Sequence, residues 1–192
     1  MIVGAGLVQA VTLGQIHRIT ASTERQPMHP IRPLQPNDSL LDLTHLLHRA
    51  YARLGAMGLN YTAVDQTPEV TAQRLAGGQC FVAEVAGQMA GTIVVKPTYD
   101  VNECAYFTRP GVAAVHQFAV DPACQGQGIG RALLLACEQW ALAHGFAELA
   151  MDTAEQAQHL ITLYTGLGYQ HVGFVQWSGK VYRSVVLSKG LK

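Results

Sequence analysis

The chain has 192 residues, 49% apolar and 14% charged, which suits one domain with a sizeable core and excludes long disorder. Thirteen basic residues balance thirteen acidic ones, so nothing in the charge favours a nucleic acid or an anionic membrane as partner. Cys80, Cys104, Cys124 and Cys137 lie scattered among apolar runs without C-x-x-C spacing, which predicts reduced thiols, a cytoplasmic protein and no metal site.

The chain opens on Met1-Ile2-Val3-Gly4-Ala5-Gly6-Leu7, which imitates the start of a dinucleotide-binding unit, but Gln9 stands at the third glycine position. No basic residue precedes this run, and Gln9, Thr12, Gly14 and Gln15 break it. It therefore reads as neither a signal peptide nor a membrane span. Residues 1–28 are expected to be an extension outside the domain, which then covers 29–192. A first strand is predicted at Ile31–Leu34. Asn37-Asp38-Ser39 supplies a helix cap, and Leu40, Leu43, Leu46, Leu47, Ala50, Tyr51 and Leu54 recur at helical spacing. Gly55 and Gly58 end that helix, and Thr67-Pro68-Glu69 starts a short second one, stopped by Gly77-Gly78. Cys80–Val85 and Met89–Val95 read as strands joined by a turn at Ala86-Gly87-Gln88. A polar loop from Pro97 to Gly111 leads to a fourth strand, Ala113–Val120.

A glycine-rich turn follows, Gln125-Gly126-Gln127-Gly128-Ile129-Gly130-Arg131, and then a helix with Leu133, Leu134, Cys137, Trp140 and Ala141 on one face, ended by Gly145. Glu148–Asp152 is a fifth strand. Asp152-Thr153-Ala154-Glu155 has capping-box spacing for a fourth helix bearing Leu160, Leu163, Tyr164 and Leu167. Tyr169–Trp177 and Val181–Ser188 are predicted as closing strands around Ser178-Gly179. No repeat or linker divides the chain further.

The glycine turn carries the chemistry. Alternate glycines uncover a run of backbone N–H groups where a helix begins, so these donors and the positive end of the helix dipole face one point, as a pyrophosphate site requires. A P-loop would need Gly-Lys-Ser/Thr, whereas Arg131-Ala132 follows Gly130. A dinucleotide fingerprint would need an acidic residue about 20 residues on, and Asp152 keeps that alternative open. The pattern Q/R-x-x-G-x-G/A after Val120-Asp121-Pro122 resembles the acyl-CoA-binding motif of the GNAT N-acetyltransferases. Leu163-Tyr164-Thr165-Gly166-Leu167-Gly168-Tyr169 is similar to a second segment of that family, and the predicted order β-α-α-β-β-β-α-β-α-β-β is the family's order.

The resemblance, which runs from about Ile31 to the C-terminus, implies an α/β (α+β) GNAT fold. Its mixed sheet has about seven strands and four helices, and the fourth and fifth strands splay around the pantetheine arm of acetyl-CoA. It assigns backbone groups of Phe118, Ala119 and Val120 to the pantetheine amides, with a bulge that aims an N–H at the thioester oxygen. It assigns the N–H groups of Gln125, Gly126, Gln127, Gly128, Ile129 and Gly130, with Arg131, to the pyrophosphate. Tyr164 takes the role of the phenol that protonates the departing thiolate, a task suited to a pKa near 10. The strand position where relatives carry a glutamate base is Ala114 here, so His116, two residues on, is the candidate base. Glu84, Tyr106 and a water relay compete with it. His159 is a candidate for the adenosine 3′-phosphate. Acceptor selection is expected from Tyr51 to Asp65 and from Gln176 to Lys180, with Tyr61, Trp177, Asp100 and Glu103 as candidate walls. The implied reaction is acetyl transfer from acetyl-CoA to a primary amine of a small molecule or peptide, without a metal. A non-catalytic acyl-CoA-binding module is the alternative, and a homodimer is admitted.

Overall fold

The computed structural model describes residues 29–192, so the expectation for residues 1–28 lies outside the described residues. In chain order the elements are β1 (Ile31–Pro33), α1 (Leu40–Ala56), α2 (Pro68–Leu75), β2 (Gln79–Val85), β3 (Gln88–Lys96), β4 (Val112–Val120), α3 (Ile129–Ala143), β5 (Glu148–Ala154), α4 (Gln158–Gly166), β6 (Gln170–Val175) and β7 (Ser184–Gly190). Short 3-10 turns occupy Thr62–Val64, Ala105–Thr108 and Pro122–Cys124.

The helices begin where local chemistry says they should. Ser39 caps α1 by accepting from the Asp42 N–H, and Thr67 caps α2 by accepting from Val70, with Pro68 in its first turn. Ala86 and Gly87, both at positive φ (51° and 76°), make the tight turn between β2 and β3.

Seven strands form one sheet in the order β1-β2-β3-β4-β5-β7-β6. Side-chain alternation along the strands sends apolar groups to both faces. Val82 and Val94 meet Leu43 and Leu46 of α1 on one face. Ala83, Ile93 and Val95 meet Ile129, Leu133 and Leu134 of α3 on the other, where Tyr164 of α4 also packs. The approach of α3 to the sheet needs Gly91, because a Cβ there would lie 2.9 Å from both Ile129 Cγ2 and Leu133 Cδ1.

The opening in the sheet is set by two features of β4. Its pairing with β5, the one parallel pairing among the described strands, covers only Val112–Ala114 against Glu148–Ala150. Both strands then continue unpaired with each other, to Val120 and Ala154. Between β3 and β4 the register shifts, two steps from Thr92 to Val94 facing three from His116 to Ala119. Gln117 takes the extra place with φ at 48°, a conformation uncommon outside glycine.

Two sequence expectations are corrected. Asp152 does not cap α4: β5 continues to Ala154 because Asp152, Thr153 and Ala154 pair with Val186, Val185 and Ser184 of β7. Helix α4 starts only at Gln158, with Ala157 at its cap and no side-chain cap bond. The final strand begins at Ser184 instead of Val181. The preceding segment forms a loop, held by the Gln176 side-chain amide donating to the carbonyls of Lys180 and Tyr182 at 2.9 and 3.1 Å.

Candidate active site

The gap between β4 and β5 opens into a cavity of about 980 Å³, roofed by α1 and the 176–183 loop and floored by α3 and α4. At one end stands the start of α3. Gly126 and Gly128 have φ of 77° and 82°, the left-handed region that glycine enters without strain. Gly128 is the helix cap and offers no side chain; the first helical bond runs from the Ala132 N–H to the Gly128 carbonyl. The N–H groups of Ile129, Gly130 and Arg131 therefore lack intrahelical acceptors and head the helix dipole. Gln125, Gly126, Gly128, Ile129, Gly130 and Arg131 line the cavity; Gln127 does not. The Gln125 amide is folded back onto the Val120 carbonyl at 3.3 Å.

Along the cavity, Phe118, Ala119 and Val120 follow the Gln117 bulge. The Phe118 carbonyl already accepts from the Tyr51 hydroxyl at 3.2 Å. The Tyr164 ring is buried 6.2 Å from that of Phe118, centroid to centroid. Its hydroxyl has no hydrogen-bond partner among the described residues, and burial raises its pKa, so the phenol is protonated at neutral pH.

His116 also lines the cavity. Its Nε2 lies 2.8 Å from the Tyr99 hydroxyl, and the Tyr99 and Phe107 rings stand edge-on to it. Burial, followed by the positive charges of Arg74 and Lys96, pushes its pKa down to about 3. Glu84 is engaged by Arg32 at 2.6 Å and Tyr106 by Glu148 at 2.6 Å, and neither lines the cavity. His159 and Glu103 do; Glu103 accepts from the Ser178 N–H and hydroxyl at 2.8 and 2.9 Å, while Asp100 lies outside the lining.

Asp152, mistaken for a cap, faces the cavity from β5. Its Oδ2 accepts from Trp177 Nε1 at 2.8 Å. Burial raises its pKa, partly opposed by that bond and by the charge of Arg74. Trp177 is thus both wall and support. Tyr61 is anchored by a bond to Thr153 Oγ1 at 3.1 Å and by the Ala154 N–H at 2.6 Å, and stacks on Tyr182 at 4.8 Å between centroids. Sequence reasoning missed Arg74, Gln117, Tyr182 and Asp152 as lining residues of this cavity. A lone carboxylate among the apolar residues of Leu149–Ala154 was the signal available for Asp152.

A model of the Acetyltransferase (GNAT) family matches residues 42–169. The chain belongs to that family. As an acetyltransferase it is similar over 169 residues, at 27% identity, to the S-(2-succino)cysteine N-acetyltransferase of Bacillus subtilis, covering 87% of this chain and 98% of that one. It is 30% identical over 100 residues to mouse N-acetyltransferase 8F1, covering 50% of this chain and 41% of that relative. Among solved structures, the ribosomal-protein-S18-alanine N-acetyltransferase of Escherichia coli superposes with a TM-score of 0.65 at 20% identity, over 86% and 95% of the two chains. An Elizabethkingia anophelis GNAT acetyltransferase with acetyl-CoA bound superposes at 0.61 and 18% identity, over 85% and 98%. At such identities these two structures speak for the fold of the acetyltransferase. Among the described residues no group of three or more His, Cys, Asp or Glu is placed to hold a metal, and no helix is long and apolar enough to cross a membrane.

Proposed function

We propose that the enzyme moves acetyl from acetyl-CoA to the primary amine of a small molecule or peptide by direct attack in a ternary complex. The observation that carries this reading is a convergence in one cavity. Free N–H groups at a left-handed glycine start of α3, a gap between two parallel strands and a phenol without a partner among the described residues all face the same space. These residues fit acetyl-CoA: the helix start suits its pyrophosphate, and the stretch Phe118–Val120, where β4 no longer pairs with β5, suits its amides. The named activity of the Bacillus subtilis relative, on a cysteine derivative, favours a small-molecule acceptor.

For the proton taken from the substrate ammonium, the raised pKa of Asp152 makes it the stronger acceptor, and His116, held near a pKa of 3, the weaker. We therefore assign Asp152 as base and His116, bonded to Tyr99, to positioning. The neutral nitrogen attacks the thioester carbonyl carbon, so a C–N bond forms. Charge gathering on the oxygen meets a backbone N–H of bulged β4. The C–S bond then breaks, and the sulfur takes a proton from Tyr164, which regains one from the nitrogen. Amide and free CoA thiol result.

Thiol release with acetyl-CoA and an amine panel tests the proposal. Tyr164→Phe keeps the ring and removes the donor, so kcat should fall roughly 10- to 1000-fold while acetyl-CoA affinity stays within about threefold. No release with any amine, despite acetyl-CoA binding, would favour a non-catalytic acyl-CoA module. Parental kcat in the phenylalanine variant, with chemistry limiting the rate, would leave Tyr164 a packing residue.

A further inference from the structure

The acceptor end of the cavity holds more positive charge than transfer to an amine requires. Arg74 on α2 and Lys180 in the 176–183 loop both line it, both half-buried, and neither has an ion-pair partner among the described residues. Lys180 Nζ is steadied by neutral oxygens only, the Asn60 carbonyl at 2.8 Å and Thr62 Oγ1 at 2.9 Å. Burial, and then the charge of Arg74, depresses the pKa of Lys180, which places the two cations within each other's field.

A third donor is fixed by a relay of amides. Arg74 Nη1 donates to Gln66 Oε1 at 2.6 Å, and a guanidinium can only donate. The Gln66 amide nitrogen must then point the other way, where it donates to Thr71 Oγ1 at 2.7 Å and Gln117 Oε1 at 2.8 Å. That in turn orients the Gln117 NH₂ away from Gln66. Gln117 is 3% exposed, lines the cavity, and its Nε2 has no hydrogen-bond partner among the described residues. A buried amide donor left without an acceptor destabilises the fold, and the strained backbone at Gln117 adds to the cost of holding it there. Two cations that no carboxylate contacts among the described residues, with Asp65 and Asp152 acting on them only at longer range, and an unsatisfied N–H around one space suit a carboxylate.

We propose that Arg74, Lys180 and Gln117 form a carboxylate-binding subsite, so that the acceptor is a small amine carrying its own carboxylate, an amino acid or a close derivative. This rests on the N-acetyltransfer reading above and narrows its acceptor. The carboxylate lies toward the cations, and the ammonium lies toward Asp152. A polyamine would meet Arg74 and Lys180 as like charges.

The test compares free L-amino acids with their carboxamides and decarboxylated amines as acceptors at saturating acetyl-CoA. The carboxamides have the less basic amines and so begin with an advantage in neutral nucleophile. A free acid favoured in kcat/KM by at least about tenfold supports the subsite. Arg74→Gln should raise KM for the acid at least about tenfold while KM for the carboxamide and for acetyl-CoA stays within about threefold. Lys180→Met is the second variant, used in the same comparison if the melt shows that Arg74→Gln does not fold. Carboxylate-free amines turned over as well as the acids, or an acid preference that survives in the folded variant, overturns the subsite and leaves N-acetyltransfer standing. Turnover of none of the amines removes both.

Discussion

At the scale of single residues, Asp152 and His116 face the same cavity, and burial moves both toward neutrality. For the carboxyl this means a raised pKa, which makes it a better proton acceptor. For the imidazole it means a pKa near 3, which makes it a poorer one. The raised value also carries a stability consequence. A carboxyl whose folded pKa lies above its unfolded value stabilises the fold fully below the unfolded pKa, near 3.9, and that contribution is lost as pH rises through the folded pKa. Above the folded pKa the buried Asp152 carboxylate is therefore a cost to the fold. Asp152→Asn removes the charge while its Oδ1 can still accept from Trp177. The variant should melt at or above the parent at pH 7, with kcat lower by roughly 10²-fold or more. Melting curves and thiol release on the same preparation check both. Parental kcat in a folded variant would take Asp152 out of the proton path.

At the scale of elements, the unit proposed to bind phosphate is the joint between β4 and α3. Gly128 sits at a φ of 82° with open space where a Cβ would project. A side chain there is strained by about 1–2 kcal/mol but clashes with nothing, so the fold should survive. Gly128→Glu then places a carboxylate beside the donors that would hold pyrophosphate. Acetyl-CoA affinity should fall at least tenfold, about 1.4 kcal/mol. Gly128→Ala carries the same strain without the charge and should lose less. Calorimetric titration of both variants separates the two effects, and equal affinity in parent and Gly128→Glu would remove the loop from the binding site.

Across the whole molecule, the cavity draws its walls from both faces of the sheet, with α1 and the 176–183 loop above and α3 and α4 below. A ligand filling it ties these layers together and should stabilise the native state by mass action. At about 100 times its dissociation constant, acetyl-CoA should add about 2.7 kcal/mol, a rise of roughly 5–10 °C in Tm for a chain of this size. NADH and ATP, which share a pyrophosphate but lack the pantetheine arm, should raise it much less. A thermal shift series checks this, and equal shifts from all three would reduce the glycine turn to a general phosphate site.

The amino-acid sequence determined what depends on neighbours along the chain. The glycine turn, the caps at Ser39 and Thr67, the helical stripe of α1 and the order of elements were all legible, because backbone freedom, capping and periodicity act over a few residues. The same local reasoning misread Asp152. Its spacing to Glu155 imitates a cap, and only pairing with Val186 of β7, 34 positions away, keeps that stretch in the sheet. The carboxylate subsite was hidden for a like reason. Arg74, Gln117 and Lys180 come from a helix, a bulge and a loop, and no pattern in the chain connects them. The relay through Gln66 exists only once the segment before α2 lies against the Gln117 bulge of β4. Local chemistry thus named the family and its glycine turn, while the charges gathered in the cavity were settled by tertiary packing, which alone brings distant side chains into one another's field.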